Sequence, residues 1–281
     1  MQSIKIQRCA LLLATLALVS ASFAYGDSPP SAAPAATYAD LADLADGAPL
    51  VIKAQVRKLV QIDPLQAREV RAGWRRFYVE AKTEALVAGA MPIGEALRYL
   101  VDLPLDPKGK PPSFKKQSVV LFARAVAARP GELQLVAPDG QLRWDPVLDA
   151  KLRAVLTELL APGAPGKVSG VREAIYVPGN LAGESETQLF LAMANGEPAA
   201  LTVTRRPGQP PRWSVSFSEV VGASGAAPAR ETLAWYRLAC FLPPLLPAGA
   251  NVSDDPVDRA AAGQDYRFVM TELGTCPRTR R

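Results

Sequence analysis

From Leu50 onward the chain alternates with a period of two. Leu50, Ile52, Ala54 and Val56 form one row, and Val51, Lys53, Gln55 and Arg57 fall between them. Successive strand side chains point to opposite faces, so this spacing places one row in a core and leaves the other outside. Phe77, Val79, Ala81 and Thr83 repeat the pattern against Tyr78, Glu80, Lys82 and Glu84. Segments 97–103, 118–124 and 133–137 are also rich in strand formers, and the breaks between them carry Gly89, Pro92, Gly94, Pro104, Pro107, Pro130 and Gly131. Five strands in about 90 residues suit a small antiparallel barrel of the OB type. Trp74, with Arg71, Arg75 and Arg76, reads as a turn with one anchoring aromatic.

The period then changes. Asp145-Pro146 is a helix start, with Asp as N-cap and Pro at the first helical position, and Leu148, Leu152, Val155 and Leu159 follow at helical spacing. Pro162-Gly163 stops the run. Residues 171–177 fit a strand or a helix. Segments 187–194 and 199–206 flank Asn195-Gly196, a hairpin dipeptide, and Pro207-Gly208 turns the chain into 212–219, where Trp213, Val215 and Phe217 share a face. These read as an antiparallel meander. Trp235, Leu238 and Phe241 then mark a helix before Pro243-Pro244. Asp255-Pro256 starts another, with Ala262, Tyr266, Val269 and Leu273 on one stripe. A shorter helix is expected earlier, where Thr37 and Asp40 form a capping-box pattern before Leu41 and Leu44, ending at Gly47.

The first residues have the make-up of an export signal. Lys5 and Arg8 precede an apolar run from Ala10 to Val19, and Ser22-Phe23-Ala24 fits a cleavage site after Ala24. The run is about 13 residues even with its Ser and Thr counted, short of the ~20 needed to cross a bilayer. Removal of residues 1–24 takes two basic residues and leaves 30 basic against 27 acidic, a net charge of +3. The basic residues are dispersed without aromatic interleaving, so no nucleic-acid partner is expected. Residues 25–36 form a flexible linker rich in Pro, Ala and Ser. Periplasmic or secreted residence follows, with no transmembrane helix after signal cleavage; a retained signal would instead make the protein a membrane-tethered structural or assembly factor.

Cys9 leaves with the signal, so Cys240 and Cys276 remain and are expected to pair as a disulfide in an oxidising compartment. Such a bridge would close a loop of about 37 residues and stabilise the fold by roughly 3–4 kcal/mol. The bridge requires the proline-rich connection to fold the last helix back on its predecessor, giving a stapled helical hairpin.

The chain contains 0 histidines. That removes the Ser-His-Asp triad, the Cys-His pair and imidazole-dependent zinc sites. Ser113-Phe114-Lys115-Lys116 has the S-x-x-K spacing of penicillin-binding proteins and serine β-lactamases, but it follows a Lys- and Pro-rich loop and lacks the companion motifs. Gly183-Glu184-Ser185-Glu186-Thr187 places Thr where a nucleophile elbow needs its second Gly. Gly163-Ala164-Pro165-Gly166-Lys167 fails the phosphate-loop spacing. Glu184 and Glu186, two apart in an extended segment, could converge on a cation or ligand, or serve a carboxylate-dependent envelope hydrolase. Lys108, Lys110, Lys115 and Lys116 make one basic loop, while Arg205, Arg206 and Arg212 surround a hairpin tip near Trp213; either group could meet an anionic partner. No catalytic residue, metal or cofactor is assigned.

The rhythm of residues 50–60, 77–87 and 115–122, a polar run, a V-x-V strand and a basic-glycine loop leading to a strand, resembles the OB-type barrels of netrin-like modules over residues 48–138, without the disulfides of that group. The full chain also resembles exported bacterial proteins with no assigned activity, on Gly183-Glu184-Ser185-Glu186-Thr187-Gln188 and on the Arg205–Trp213 stretch; that resemblance implies no catalytic residue. The expected fold is α+β: a β-barrel-like, OB-like domain over residues 37–140, then an α+β domain over 141–281 with an antiparallel β-meander and the disulfide-stapled helical hairpin. The expected role is that of a non-enzymatic exported cell-envelope protein binding a partner protein, a polymer or a small ligand.

Overall fold

The computed structural model describes residues 35–218 and 225–280, so the expected signal segment, 1–24, and most of the expected linker, 25–36, lie outside the described residues. The architecture is mixed α+β, with two antiparallel sheets and four α-helices among the described residues. The chain order is α1 (Tyr38–Asp46), β1 (Leu50–Gln61), β2 (Trp74–Ala88), β3 (Ala96–Pro104), β4 (Ser118–Ala125), β5 (Leu133–Leu135), β6 (Gln141–Arg143) and α2 (Pro146–Leu159). There follow β7 (Val168–Pro178), β8 (Ser185–Met193), β9 (Ala200–Arg205), β10 (Arg212–Ser216), α3 (Leu233–Ala239), a 3-10 turn (Ala248–Ala250) and α4 (Pro256–Leu273).

The first sheet has 6 strands along the path β3-β2-β1-β4-β5, with β6 pairing on β4. Its period-two rows behave as their spacing requires. Leu50, Ile52, Ala54 and Val56 share a buried cluster with Phe77, Val79, Ala81, Leu97, Tyr99, Val101, Val119 and Leu121. No closed barrel is found among the described residues. The path is open, and its ends, β3 and β5, meet at one parallel bridge, Arg98 with Glu132. Two backbone hydrogen bonds flank that seam, Arg98 N–H to Gly131 O at 2.8 Å and Asp102 N–H to Pro138 O at 2.7 Å. The chain crosses β3 so closely at Gly131 (φ +78°) that a Cβ there would lie 2.6 Å from the Ala96 carbonyl oxygen. Only glycine fits both the space and the left-handed backbone.

Part of the second row of the central strands is also buried, which alternation alone did not indicate. Val51 on β1 and Val120 and Phe122 on β4 join a second core. That core continues through Leu41, Leu148, Leu152, Tyr236 and Tyr266 of the helices to Leu189, Leu201, Val203 and Trp213 of the second sheet, whose order is β10-β9-β8-β7. The segment that fits strand or helix by sequence is β7, and pairing with β8 from Val168 to Pro178 decides the matter.

The helix signals operate locally. Thr37 accepts from the Asp40 amide at 3.1 Å, while the Asp40 carboxylate accepts from the Thr37 amide at 2.9 Å, a complete capping box. Asp145 caps α2 and Asp255 caps α4, each followed by Pro in the first turn. Cys240 is the C-cap of α3, Cys276 follows α4, and their disulfide joins Cα atoms 5.2 Å apart.

Candidate binding groove

The outer face of β2 and β3 sets polar and apolar side chains in register. Antiparallel register sets Arg76 opposite Asp102, Tyr78 opposite Leu100 and Glu80 opposite Arg98. On the other flank of β2, β1 sets Val60 opposite Tyr78 and Lys58 opposite Glu80. Directly opposed residues share a face. The result is an apolar row, Val60–Tyr78–Leu100, beside a charged row, Lys58–Glu80–Arg98, and the Arg76–Asp102 pair. Leu100 is 49% exposed and Val60 41%, so this apolar row is open to solvent on a strand surface.

Beside it lies a groove of about 650 Å³, bounded by Arg76, Tyr78, Arg98, Leu100 and Asp102 on one side and by Glu132–Pro138 on the other. That volume is in the range of small-ligand sites. Asp102 is the fixed point of its polar end. Its side chain is 7% exposed, and it takes a two-point fork from Arg76, Nε to Oδ1 at 2.8 Å and Nη2 to Oδ2 at 2.9 Å. Hydrogen bonding to Asp102 raises the Arg76 pKa above its ordinary value, so the guanidinium stays charged. Arg98, opposite Glu80 on β2, and Glu132 line the other end of the groove. Beneath the face, the Tyr99 hydroxyl donates to Gln141 Oε1 at 2.6 Å inside the sheet core, where burial pushes the Tyr99 pKa far above its usual range.

The residues singled out by sequence are distributed elsewhere. Glu184 and Glu186 are both half-buried. Glu184 packs in the turn before β8 against Gly179, and Glu186 accepts from Gln188 Nε2 at 2.7 Å. Among the described residues no group of three or more His, Cys, Asp or Glu side chains is gathered for a metal. Lys108, Lys110, Lys115 and Lys116 are all exposed. Their loop is held by the Asp106 carboxylate, which accepts from the amides of Lys108 (2.9 Å) and Lys110 (2.7 Å), and by Phe114, which is buried under the Arg143 guanidinium.

The hairpin-tip group divides. Arg206 and Arg212 are exposed, whereas Arg205 bonds Asp265, whose side chain is 1% exposed, with Nε at 2.7 Å and Nη2 at 2.6 Å from Oδ1. Trp213 is 8% exposed and belongs to the core, so its indole is not offered to a partner. Its residue type and strand parity suit a buried row better than a surface one. Thr187, the last residue of the Gly183–Thr187 motif, is fully buried and donates to Asp265 Oδ2 at 2.5 Å. Cys240 and Cys276 are joined, and no helix of the described residues is long and apolar enough to cross a membrane.

Sequence reasoning passed over the groove. It placed Arg76 in a turn, although this residue lies within β2, three positions from its start at Trp74 counted inclusively. One signal was available: Arg76-x-Tyr78-x-Glu80 and Arg98-x-Leu100-x-Asp102 are complementary when one strand is reversed against the other. No known protein family and no curated protein matches this chain.

Proposed function

We propose that this is an exported, non-enzymatic binding module of the bacterial cell envelope, periplasmic or secreted, which holds a partner protein, a polymer or a small ligand in the β2–β3 groove. The observation that carries the reading is the solvent-facing row Val60–Tyr78–Leu100 beside an Arg76 already ordered by Asp102. Apolar side chains on an open strand surface gain from being covered, and a pre-organised guanidinium loses little freedom on binding.

The strand order supports reading the first sheet as an OB-type barrel. The path β3-β2-β1-β4-β5 together with the parallel Arg98–Glu132 bridge is the cyclic order of that fold, drawn nearly shut. OB barrels use the face of their second and third strands for ligands, and the groove lies on that face here. The Cys240–Cys276 disulfide suits an oxidising compartment, in keeping with a cleaved signal over residues 1–24.

The test is capture from native envelope extract by the immobilised, oxidised protein, compared with a Tyr78→Ser/Leu100→Asp variant and with a variant carrying Gln at 108, 110, 115 and 116. Loss of the bound species by about tenfold or more in the groove variant alone supports the reading. A bound set that ignores the groove variant and vanishes with the lysines transfers the site to the basic loop.

A further inference from the structure

The segment that follows α4 is a strap, and it runs from the disulfide to the wall of the groove. At one end Cys276 is bonded to Cys240. Pro277 O then accepts from Thr37 Oγ1 at 2.9 Å, and Arg278 Nε lies 2.6 Å from Asp43 Oδ2. Asp40 collects the next two residues. Its Oδ2 accepts from the Thr279 amide at 3.0 Å and hydroxyl at 2.7 Å, and its Oδ1 accepts from the Arg280 amide at 3.1 Å. With its backbone thus fixed on α1, Arg280 sends Nη2 across to Asp139 Oδ1 at 2.6 Å. This pair is only 16% and 21% exposed.

Asp139 stands in the tight turn between β5 and β6. The turn is closed by Gly140 N–H to Ala137 O at 2.8 Å, and a Cβ on Gly140 would lie 2.9 Å from that same oxygen. The residue before Asp139 is Pro138, whose carbonyl accepts the Asp102 amide at 2.7 Å. Asp102 in turn holds the Arg76 fork, and Ala137 and Pro138 are themselves part of the groove wall. An unbroken chain of short bonds therefore links Arg280 to Arg76 through Asp139, Pro138 and Asp102.

We propose that Arg280 is a positioning residue for the groove and that the Cys240–Cys276 bridge makes the groove's binding geometry dependent on oxidation. This rests on the groove being the binding site. Its structural half, the coupling of the strap to Asp102, is measurable without any ligand. On reduction by dithiothreitol the sulfur–sulfur bond breaks, each cysteine sulfur becomes a thiol, and the reductant supplies two electrons and two protons as it closes to its cyclic disulfide. Loss of that anchor frees the strap to leave α1, and Asp139 then loses its cation.

Hydrogen–deuterium exchange at the Asp102 amide is the direct readout, because its acceptor is the strap-braced turn. Arg280→Ala is expected to speed exchange at Asp102 and at residues 136–140 by about tenfold or more. Arg278→Ala, which removes the bond to Asp43 but no bond to the turn, leaves Asp102 unchanged. Dithiothreitol reproduces the Arg280→Ala pattern in the wild type and adds little at Asp102 in the variant. Because reduction also loosens the α3–α4 junction, the Arg280→Ala comparison at intact disulfide keeps the two effects apart.

Unchanged Asp102 exchange in Arg280→Ala overturns the proposal outright. Faster exchange with unchanged capture of the envelope species overturns the claim that Arg280 positions the binding site. If the Tyr78→Ser/Leu100→Asp variant also captures normally, the groove reading falls with it; if that variant fails to capture, the groove stands and only the strap's role is lost. Faster exchange together with about tenfold weaker capture supports both.

Discussion

Arg237 closes a two-point fork on Asp46, with Nη1 to Oδ2 at 2.8 Å and Nη2 to Oδ1 at 3.0 Å, although 191 positions separate them in the chain. The guanidinium is 4% exposed, and Lys167 Nζ adds a third cationic bond to Asp46 at 2.9 Å. The pair binds the end of α1 to the last turn of α3. Asp40, Asp43 and Asp46 follow one another at a spacing of three, so one edge of this short helix carries acid after acid. Every one of them is engaged by a partner distant in sequence: Thr279 and Arg280, Arg278 and Tyr236, and Arg237 and Lys167.

Arg237→Ala removes the buried cation of this fork and leaves Asp46 with Lys167 alone. Breaking a buried pair by removing one partner costs about 3–5 kcal/mol, and the remaining lysine places the expected loss at about 2–4 kcal/mol. For a chain of this size the melting midpoint is expected to fall by about 5–15 °C in a calorimetric scan. A shift below about 2 °C would show that the fork contributes no net stability.

Acid should loosen the same edge. Burial alone would raise the Asp40 carboxyl, but hydrogen bonds from Thr279, Thr37 and Arg280 hold it below its ordinary value. Burial likewise opposes, and bonds from Arg237 and Lys167 outweigh, at Asp46, which is also lowered. A carboxyl with a lowered folded pKa contributes fully above the unfolded value of about 3.9 and loses that contribution as pH falls through the folded value. The melting midpoint should therefore be level in this respect above about pH 5 and decline below about pH 4, and the decline should be shallower in Asp40→Asn. An unchanged acid slope in that variant would remove Asp40 from the account.

The buried pair Thr187–Asp265 offers a test on the second sheet. Thr187→Val keeps the shape of the side chain but leaves Asp265 Oδ2, in a fully buried residue, short of its hydroxyl donor. The expected loss is about 1–3 kcal/mol, read as a lower urea midpoint at unchanged slope. Arg205→Ala removes the charged partner of the same carboxylate and is expected to cost more than Thr187→Val.

Reduction of Cys240–Cys276 restores the entropy of a loop whose ends are 36 apart in sequence, worth about 4 kcal/mol on the chain-entropy account. Cys276→Ser is expected to match the reduced wild type in denaturant midpoint and to be insensitive to dithiothreitol. A variant as stable as the oxidised protein would mean that the helices and the Asp40 bonds alone fix this end of the fold.

Much of the local architecture was legible. The alternation at Leu50–Val56 and Phe77–Ala81 led directly to the buried rows, and Thr37, Asp145 and Asp255 marked their helices because a cap acts on amides within one turn of itself. The candidate site was less legible for a physical reason. In the sequence Arg76, Asp102, Tyr78 and Leu100 are ordinary strand residues, and only the β2–β3 register sets them opposite each other. Trp213 illustrates the reverse: it follows the exposed Arg212 at a hairpin tip, yet its side chain turns into the core shared with the helices.

Composition and spacing by themselves determined most of the strands and helices, where three helices begin, the cysteine pair Cys240 and Cys276, and that imidazole chemistry is excluded from this chain. Those properties are set within a few residues, by side-chain period and by hydrogen bonds to nearby amides. Only the tertiary structure decided that Val51 and Phe122 need a second core, that the acids of α1 are met by residues from the far end of the chain, and that Arg76 and Asp102 form the end of a groove. Such pairings depend on which surfaces the folded chain brings together, and the free energy of a buried carboxylate is settled by the partner it meets there.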